Sequence, residues 1–133
     1  MSSLLQVSSA APDSAVIFAG DLNMRDAELA SVGGLPGGVA DVWQQCGARK
    51  EAQFTWDMQR NSNLQANFGK FRPKCRFDRI YLRDSQPASV RATQFGLVGL
   101  QKITGTQSFP SDHWGLRARL ELRQDGARKR KAE

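Results

Sequence analysis

Two stretches of the chain alternate with period two, a periodicity that fits strands and not helices. In "CRFDRIYLR", 75–83, Phe77, Arg79 and Tyr81 fall on one side and Asp78, Ile80 and Leu82 on the other. In "LRARLEL", 116–122, the leucines at 116, 120 and 122 share a face. A third run, Val16 to Ala19, is apolar throughout and bounded by "APDS" and Gly20. Unbroken apolarity suits a strand covered on both faces or a buried piece of helix, and its β-branched and aromatic residues favour strand. "SVRATQFGLVG" reads as another strand and "AQFTWDM" as a short strand or turn. Helical signals are confined to "RDAELASVG", with acidic residues early and glycines after its end, and to "VADVWQQCG", which stops at Gly47. Residues 1–10 hold Leu4, Leu5 and Val7 in a Ser-rich setting and read as a remnant of helix. The class is therefore α/β, with too few strands to protect its own edges, as if part of a larger sheet. Residues 58–75 are polar and irregular, and read as a long surface loop of the kind that usually carries function.

A chain of 133 residues bounds the answer to one domain. Residues 1–122 are assigned to it and 123–133 to a basic tail. No apolar run is long enough to span a membrane, and "MSSLLQVSSAAPDS" lacks the basic start of a signal peptide. Two unclustered cysteines, Cys46 and Cys75, fit free thiols in a reducing compartment better than a disulfide. One histidine and no CxxC argue against a Cys/His zinc site. The net charge is +6. It is concentrated in "KFRPKCRFDR", 70–79, with five Lys/Arg, and in four basic residues at 128–131. Such an excess fits a polyanionic partner such as nucleic acid, or simply a soluble basic surface.

The chemistry-bearing groups gather in three places. Asp21 and Asn23 follow the first strand, and would lie on one side of it if the backbone stayed extended; they could equally punctuate a turn. "SDH", 111–113, sets the single histidine beside a carboxylate in a loop. Asp78 stands in the strand "RFDR". A carboxylate that accepts the Nδ1 proton of an imidazole leaves Nε2 free for a substrate. A base for water, an amide, a cationic donor and a divalent metal are what phosphate-ester hydrolysis requires.

"GDLN" with a downstream "SDH" resembles the signature of the endonuclease/exonuclease/phosphatase superfamily. Six blocks in order, "GDLNMRD", "GGLPGGVADVW", "FTWD", "NSNL", "RFDRIYLR" and "FPSDHWGL", resemble its tyrosyl-DNA phosphodiesterase 2 family, over about residues 10–122. The resemblance implies a two-layer β-sandwich flanked by helices, of which this chain carries the C-terminal half. It implies hydrolysis, dependent on Mg²⁺ with Mn²⁺ as an alternative, of the phosphotyrosyl bond of topoisomerase–DNA adducts in DNA repair. The partners would be DNA 5′ ends carrying a tyrosyl adduct and a topoisomerase-derived peptide, with no membrane; the compartment would be the nucleus, with the cytoplasm as an alternative. By resemblance Asp21 activates the attacking water and Asn23 holds the scissile phosphate. Met24 and Arg25 meet the DNA end, Trp56 and Phe77 offer faces to it, and Leu64 walls the cleft. Asp78 orients His113, which stabilises the phosphoryl group and also meets DNA, and Asp112 lies at or near the metal. The stretch 65–76 is longer and more basic than in the family.

In the family the principal metal-binding Glu, an Asn-containing motif and a further His-containing motif precede "GDLN". Residues 1–133 alone are therefore expected to hydrolyse poorly or not at all, and to self-associate through open sheet edges. The alternatives are a non-catalytic basic nucleic-acid-binding fragment and another DNA nuclease of the same superfamily; "TWD" followed by "NSNL" argues against the latter.

Overall fold

The computed structural model describes residues 6, 7, 9–64 and 72–123. Within them the order is β1 (Val16–Asp21), α1 (Asp26–Ser31), β2 (Val39–Asp41), α2 (Val42–Gln45), β3 (Trp56–Asp57), β4 (Lys74–Cys75), β5 (Asp78–Arg83), β6 (Val90–Val98) and β7 (Gly115–Leu122). A single 3-10 turn, Lys50–Ala52, links α2 to β3.

Strand β5 is the centre. It pairs antiparallel with β1 on one side and β2 on the other, while β3 pairs with β4 and β6 with β7. Its alternation divides the interior in two. Leu82 and Ile80 join Val42 and Trp43 of α2 and Val90 and Phe95 of β6, so the three-stranded sheet packs on the β6–β7 hairpin as a second layer. Tyr81 faces the other way, into a cluster with Val7 and Val39 to which Val16, Phe18 and Leu22 add. Fully burying side chains of this size contributes roughly 1.5–3 kcal/mol each. The sheets stay open, and the architecture is mixed α/β with helices at the flanks, as the sequence implied.

Local chemistry explains the short helices. The Glu28 carboxylate accepts the Arg25 backbone N–H at 2.9 Å, closing the first turn of α1, and Gly33 and Gly34 end it with positive φ. Asp41 caps α2 by accepting from the Trp43 amide at 3.0 Å.

Three local expectations change. The run Val16 to Ala19 is a strand, but only one face is covered: Ile17 is 55% exposed and Ala19 is exposed, because the hairpin's cluster takes in side chains of β5 and none of β1. The helix expected from "VADVWQQCG" begins only at Val42, since Val39 to Asp41 pair with Tyr81 to Arg83 as a strand. Within 58–75, β4 is cut out by its pairing with β3, and residues 65–71 lie outside the described ones. So do the start of the proposed N-terminal helix and residues 124–133; Gln6 and Val7 are helical, and Val7 is buried. Both cysteines are free thiols, as expected.

Candidate active site

The register of β1 on β5 sets Asp21 directly opposite Asp78. Like charges facing across an antiparallel pair repel, so a hydrogen-bond donor beside them eases the arrangement. His113 supplies it. Its Nδ1 lies 2.7 Å from Oδ2 of Asp78, and because an ionised carboxylate only accepts, the ring nitrogen donates. Ligand atoms of Asp21, Asp78 and His113 all lie within 4.8 Å of one another. Burial opposes a charge on the imidazole, but the hydrogen bond and charge of Asp78, backed by Asp21 and Asp112, override it and raise the pKa of His113 above its ordinary value.

A raised pKa means that this contact stabilises the fold fully below about pH 6.5 and that its contribution is lost as pH rises through the folded value. In Asp78→Asn the His113 pKa should fall toward the ordinary range and that pH-dependent stability should shrink. The chain has one histidine, so a single imidazole NMR resonance followed against pH checks this.

Past Asp21 the chain does not stay extended. Leu22 N–H donates to the Phe77 carbonyl at 2.9 Å, Asn23 takes a left-handed φ of 50°, and its backbone N–H donates to Asp21 Oδ1 at 2.8 Å. This local bond to the Asp carboxylate is the turn chemistry read from the sequence, and it is also what fixes Asp21. The turn opens on a cleft of about 670 Å³ lined by Asn23, Arg25, Trp56, Lys74, Phe77 and His113 among others. The Phe77 ring sits 5.7 Å from Trp56 and 6.3 Å from His113, centroid to centroid, with the Arg25 guanidinium 5.6 Å from its own centroid. A second cleft of about 680 Å³ follows β6 and β7 and holds Arg49, Arg117 and Arg119, with no carboxylate or histidine in its lining.

Asp21, Asn23, Arg25, Trp56, Phe77, Asp78 and His113 thus converge. Met24 lies outside the cleft lining; its carbonyl accepts from Arg79 Nη2 at 3.0 Å. Leu64 is half-buried on the turn after Asn61 and lies outside the cleft lining. Asp112 is exposed; its Oδ1 takes a 3.4 Å bond from the Ser111 hydroxyl, and it stands outside the three-residue cluster.

Two cations of the basic segment are not surface groups. Arg76 and Arg79 are 6% and 1% exposed. Arg76 pairs with Asp41 and, at 2.9 Å, with Asp26, and lies 4.6 Å from the Trp43 ring centroid. Arg79 reaches Asp26 at 2.8 Å. Partial burial works against the Asp26 charge, yet the two guanidiniums outweigh it and lower the carboxyl's pKa. Together they tie the start of α1, and with it the turn at Asn23, onto β5.

Thr55 also escaped the sequence reading. It is 1% exposed, its hydroxyl accepts from the Phe77 and Asp78 amides at 3.1 and 3.0 Å, and its carbonyl accepts from Trp114 N–H at 2.7 Å. One side chain therefore fixes the start of β5 while its backbone holds the residue after His113.

No protein-family model matches the chain. Among individual proteins it is 45% identical over 114 residues to tyrosyl-DNA phosphodiesterase 2 of Danio rerio, covering 85% of this chain and 30% of that protein. It is 46% identical over 114 residues to the Homo sapiens protein of the same name, covering 84% of this chain and 30% of that protein. It thus spans under a third of the length of these curated relatives. A crystal structure of the D. rerio protein complexed with a single-strand DNA product superposes with a TM-score of 0.81 at 42% identity, covering 90% of this chain and 47% of that one. The C. elegans structure matches with a TM-score of 0.73 at 34% identity, covering 92% of this chain and 34% of that one. Sequence and fold agree: the chain belongs to the tyrosyl-DNA phosphodiesterase 2 family of the endonuclease/exonuclease/phosphatase superfamily.

Proposed function

We propose that residues 1–122 contribute to a divalent-metal-dependent phosphodiesterase centre that cleaves the phosphotyrosyl bond at a DNA 5′ end left by a topoisomerase. The observation that carries this is the facing pair Asp21 and Asp78, with His113 bound to Asp78 and within 4.8 Å of both, opening on a cleft of aromatic and cationic side chains. Asp21, exposed and fixed by the Asn23 amide, takes the proton of the attacking water. Asn23 and Arg25 receive the phosphate. His113, its Nδ1 held by Asp78, offers Nε2–H to a phosphoryl oxygen as charge builds there. Trp56 and Phe77 present faces on which a base or sugar packs.

The donor set fits a hard divalent cation in its minimal mode, one or two carboxylates with the rest of the shell from water and phosphate. Asp21 and Asp78 would hold it, with Asp112, exposed and outside the cluster, as the further carboxylate of the His113 loop; oxygen donors suit Mg²⁺ and Mn²⁺ alike. When bound, such an ion would supply Lewis-acid stabilisation to the departing phenolate. So few carboxylates hold Mg²⁺ weakly, and residues 1–133 alone are expected to turn over slowly.

The test is release of tyrosine from a 5′-phosphotyrosyl oligonucleotide with Mg²⁺, Mn²⁺ or chelator. It is run with this chain alone and with the unmatched part of the D. rerio catalytic domain added in trans. No hydrolysis under either condition overturns the proposal. Metal-independent DNA binding without hydrolysis would leave a nucleic-acid-binding module, and cleavage of internal phosphodiesters another nuclease of the superfamily.

Phosphate contacts are assigned to Arg25 and Lys74, both exposed on the cleft, rather than to the basic segment as a whole. Affinity for a single strand should fall with salt by a log–log slope of about −0.7 per neutralised phosphate. Arg25→Ala and Lys74→Ala should each make that slope shallower by about 0.7, as measured by fluorescence anisotropy across a salt series. The proposed compartment is the nucleus, supported by a DNA substrate and the basic run 128–131. Deleting 128–133 should redistribute the protein in cells without altering hydrolysis.

A further inference from the structure

The loop that carries His113 is long, and its last turn is held by side chains distant in sequence. Asn61 is 1% exposed and uses both ends of its amide: Nδ2 donates to the Ser111 carbonyl at 2.9 Å, while Oδ1 accepts the Asn63 backbone N–H at 2.9 Å. Asn63 lies on the surface, yet its amide is fully committed too. Its Nδ2 donates to the Phe109 carbonyl at 2.8 Å and to that of Ser111 at 3.3 Å, and its Oδ1 accepts from Phe109 N–H at 3.0 Å. These bonds pair an Asn side chain with a backbone segment much as a neighbouring strand would. They fix residues 109 and 111 from one side. From there Ser111 Oγ accepts the His113 amide at 3.1 Å, and the next residue, Trp114, is anchored on Thr55.

We infer that Asn61 and Asn63 are positioning residues for His113, setting the loop so that the imidazole Nδ1 meets Asp78; their effect on turnover rests on the function proposed above. Neither asparagine lines the cleft, so each acts through the loop. Asn63 is the sharper of the two, because an exposed side chain that buries nothing has little part in the core. The same turn presents Leu64, whose N–H donates to the Asn61 carbonyl at 3.1 Å. A residue expected beside the DNA end and the residue expected to meet the phosphate are thus built on one rigid unit.

The experiment uses Asn63→Ala, Asn63→Asp and Asn61→Ala, with Thr106→Ala as a control elsewhere on the same loop. Asp at 63 keeps the bond from Phe109 N–H and loses both donated bonds, so it should be intermediate. At one fixed pH, the hydrogen-bonded Nδ1–H proton of the single histidine is observed by NMR. It should move or broaden in the order Asn63→Asp, Asn63→Ala, Asn61→Ala, and be unchanged in Thr106→Ala. In the complemented assay kcat should fall with KM unchanged, toward about 10²-fold where the imidazole is misplaced by an ångström. An unchanged Nδ1–H signal in folded Asn63→Ala overturns the inference. So does a lower Tm with kcat of the folded protein intact, which would leave a purely structural role. If no version hydrolyses the oligonucleotide, the NMR series still decides the positioning role, and only the proposed function falls.

Discussion

Asp21→Asn should lower hydrolysis of a 5′-phosphotyrosyl oligonucleotide by roughly 10²–10⁴-fold, the range for loss of a general base, and leave single-strand binding close to its original strength. The substitution is nearly isosteric, and the new amide oxygen still accepts the Asn23 N–H that the carboxylate accepts at 2.8 Å. The turn and its cleft should survive. Stability should hold or rise slightly, because one of two facing carboxylates has been neutralised. Base loss is separable from metal loss: if Asp21 served only to hold the cation, excess Mg²⁺ would restore the rate, whereas a missing base is not replaced by metal. The measurement is single-turnover hydrolysis across a Mg²⁺ titration in the complemented assay, with anisotropy for binding. Near-normal turnover would remove Asp21 from the base role; rescue at high Mg²⁺ would leave it a metal ligand only.

Much of the frame was legible because its signals are local. Period two in 75–83 and 116–122 placed β5 and β7, and the same alternation set Arg79 on one side with Tyr81, the side that the structure buries. The site residues were legible for a different reason: ordered blocks resembling a family singled out Asp21, Asp78 and His113, which no composition or spacing would have brought together. What escaped depends on partners far along the chain. β2 is three residues of a helix-like pattern, recruited as a strand because β5 offers an open edge. β4 exists only through its pairing with β3. Thr55, Asn61 and Asn63 act through bonds to residues more than twenty positions away, and a lone Thr or Asn in a polar stretch carries no mark of such a bond. Charge was the most misleading signal, since an arginine destined for a buried ion pair reads like one destined for phosphate.

That ambiguity gives the largest expected effect on stability. Arg76→Met should destabilise the fold by about 3–5 kcal/mol, the cost of leaving one member of a buried pair without its partner. The orphaned charge is on Asp41, whose side chain is 3% exposed and caps α2 through the Trp43 amide. Asp26 fares better, because it is largely exposed and keeps Arg79. Adding Asp41→Asn should recover much of the loss: the amide oxygen can still cap Trp43, no uncompensated charge remains, and Met keeps apolar contact with the Trp43 ring that Arg76 now covers. Denaturant unfolding of the two single variants and the double variant measures the coupling. The same proteins separate structure from binding. If Arg76 works only inside the fold, the folded double variant binds single-stranded DNA with the parent's salt slope, while Arg25→Ala does not. A slope shallower by about 0.7 in the double variant would mean that a phosphate reaches Arg76 after all, and that the buried ion pair opens when DNA enters the cleft.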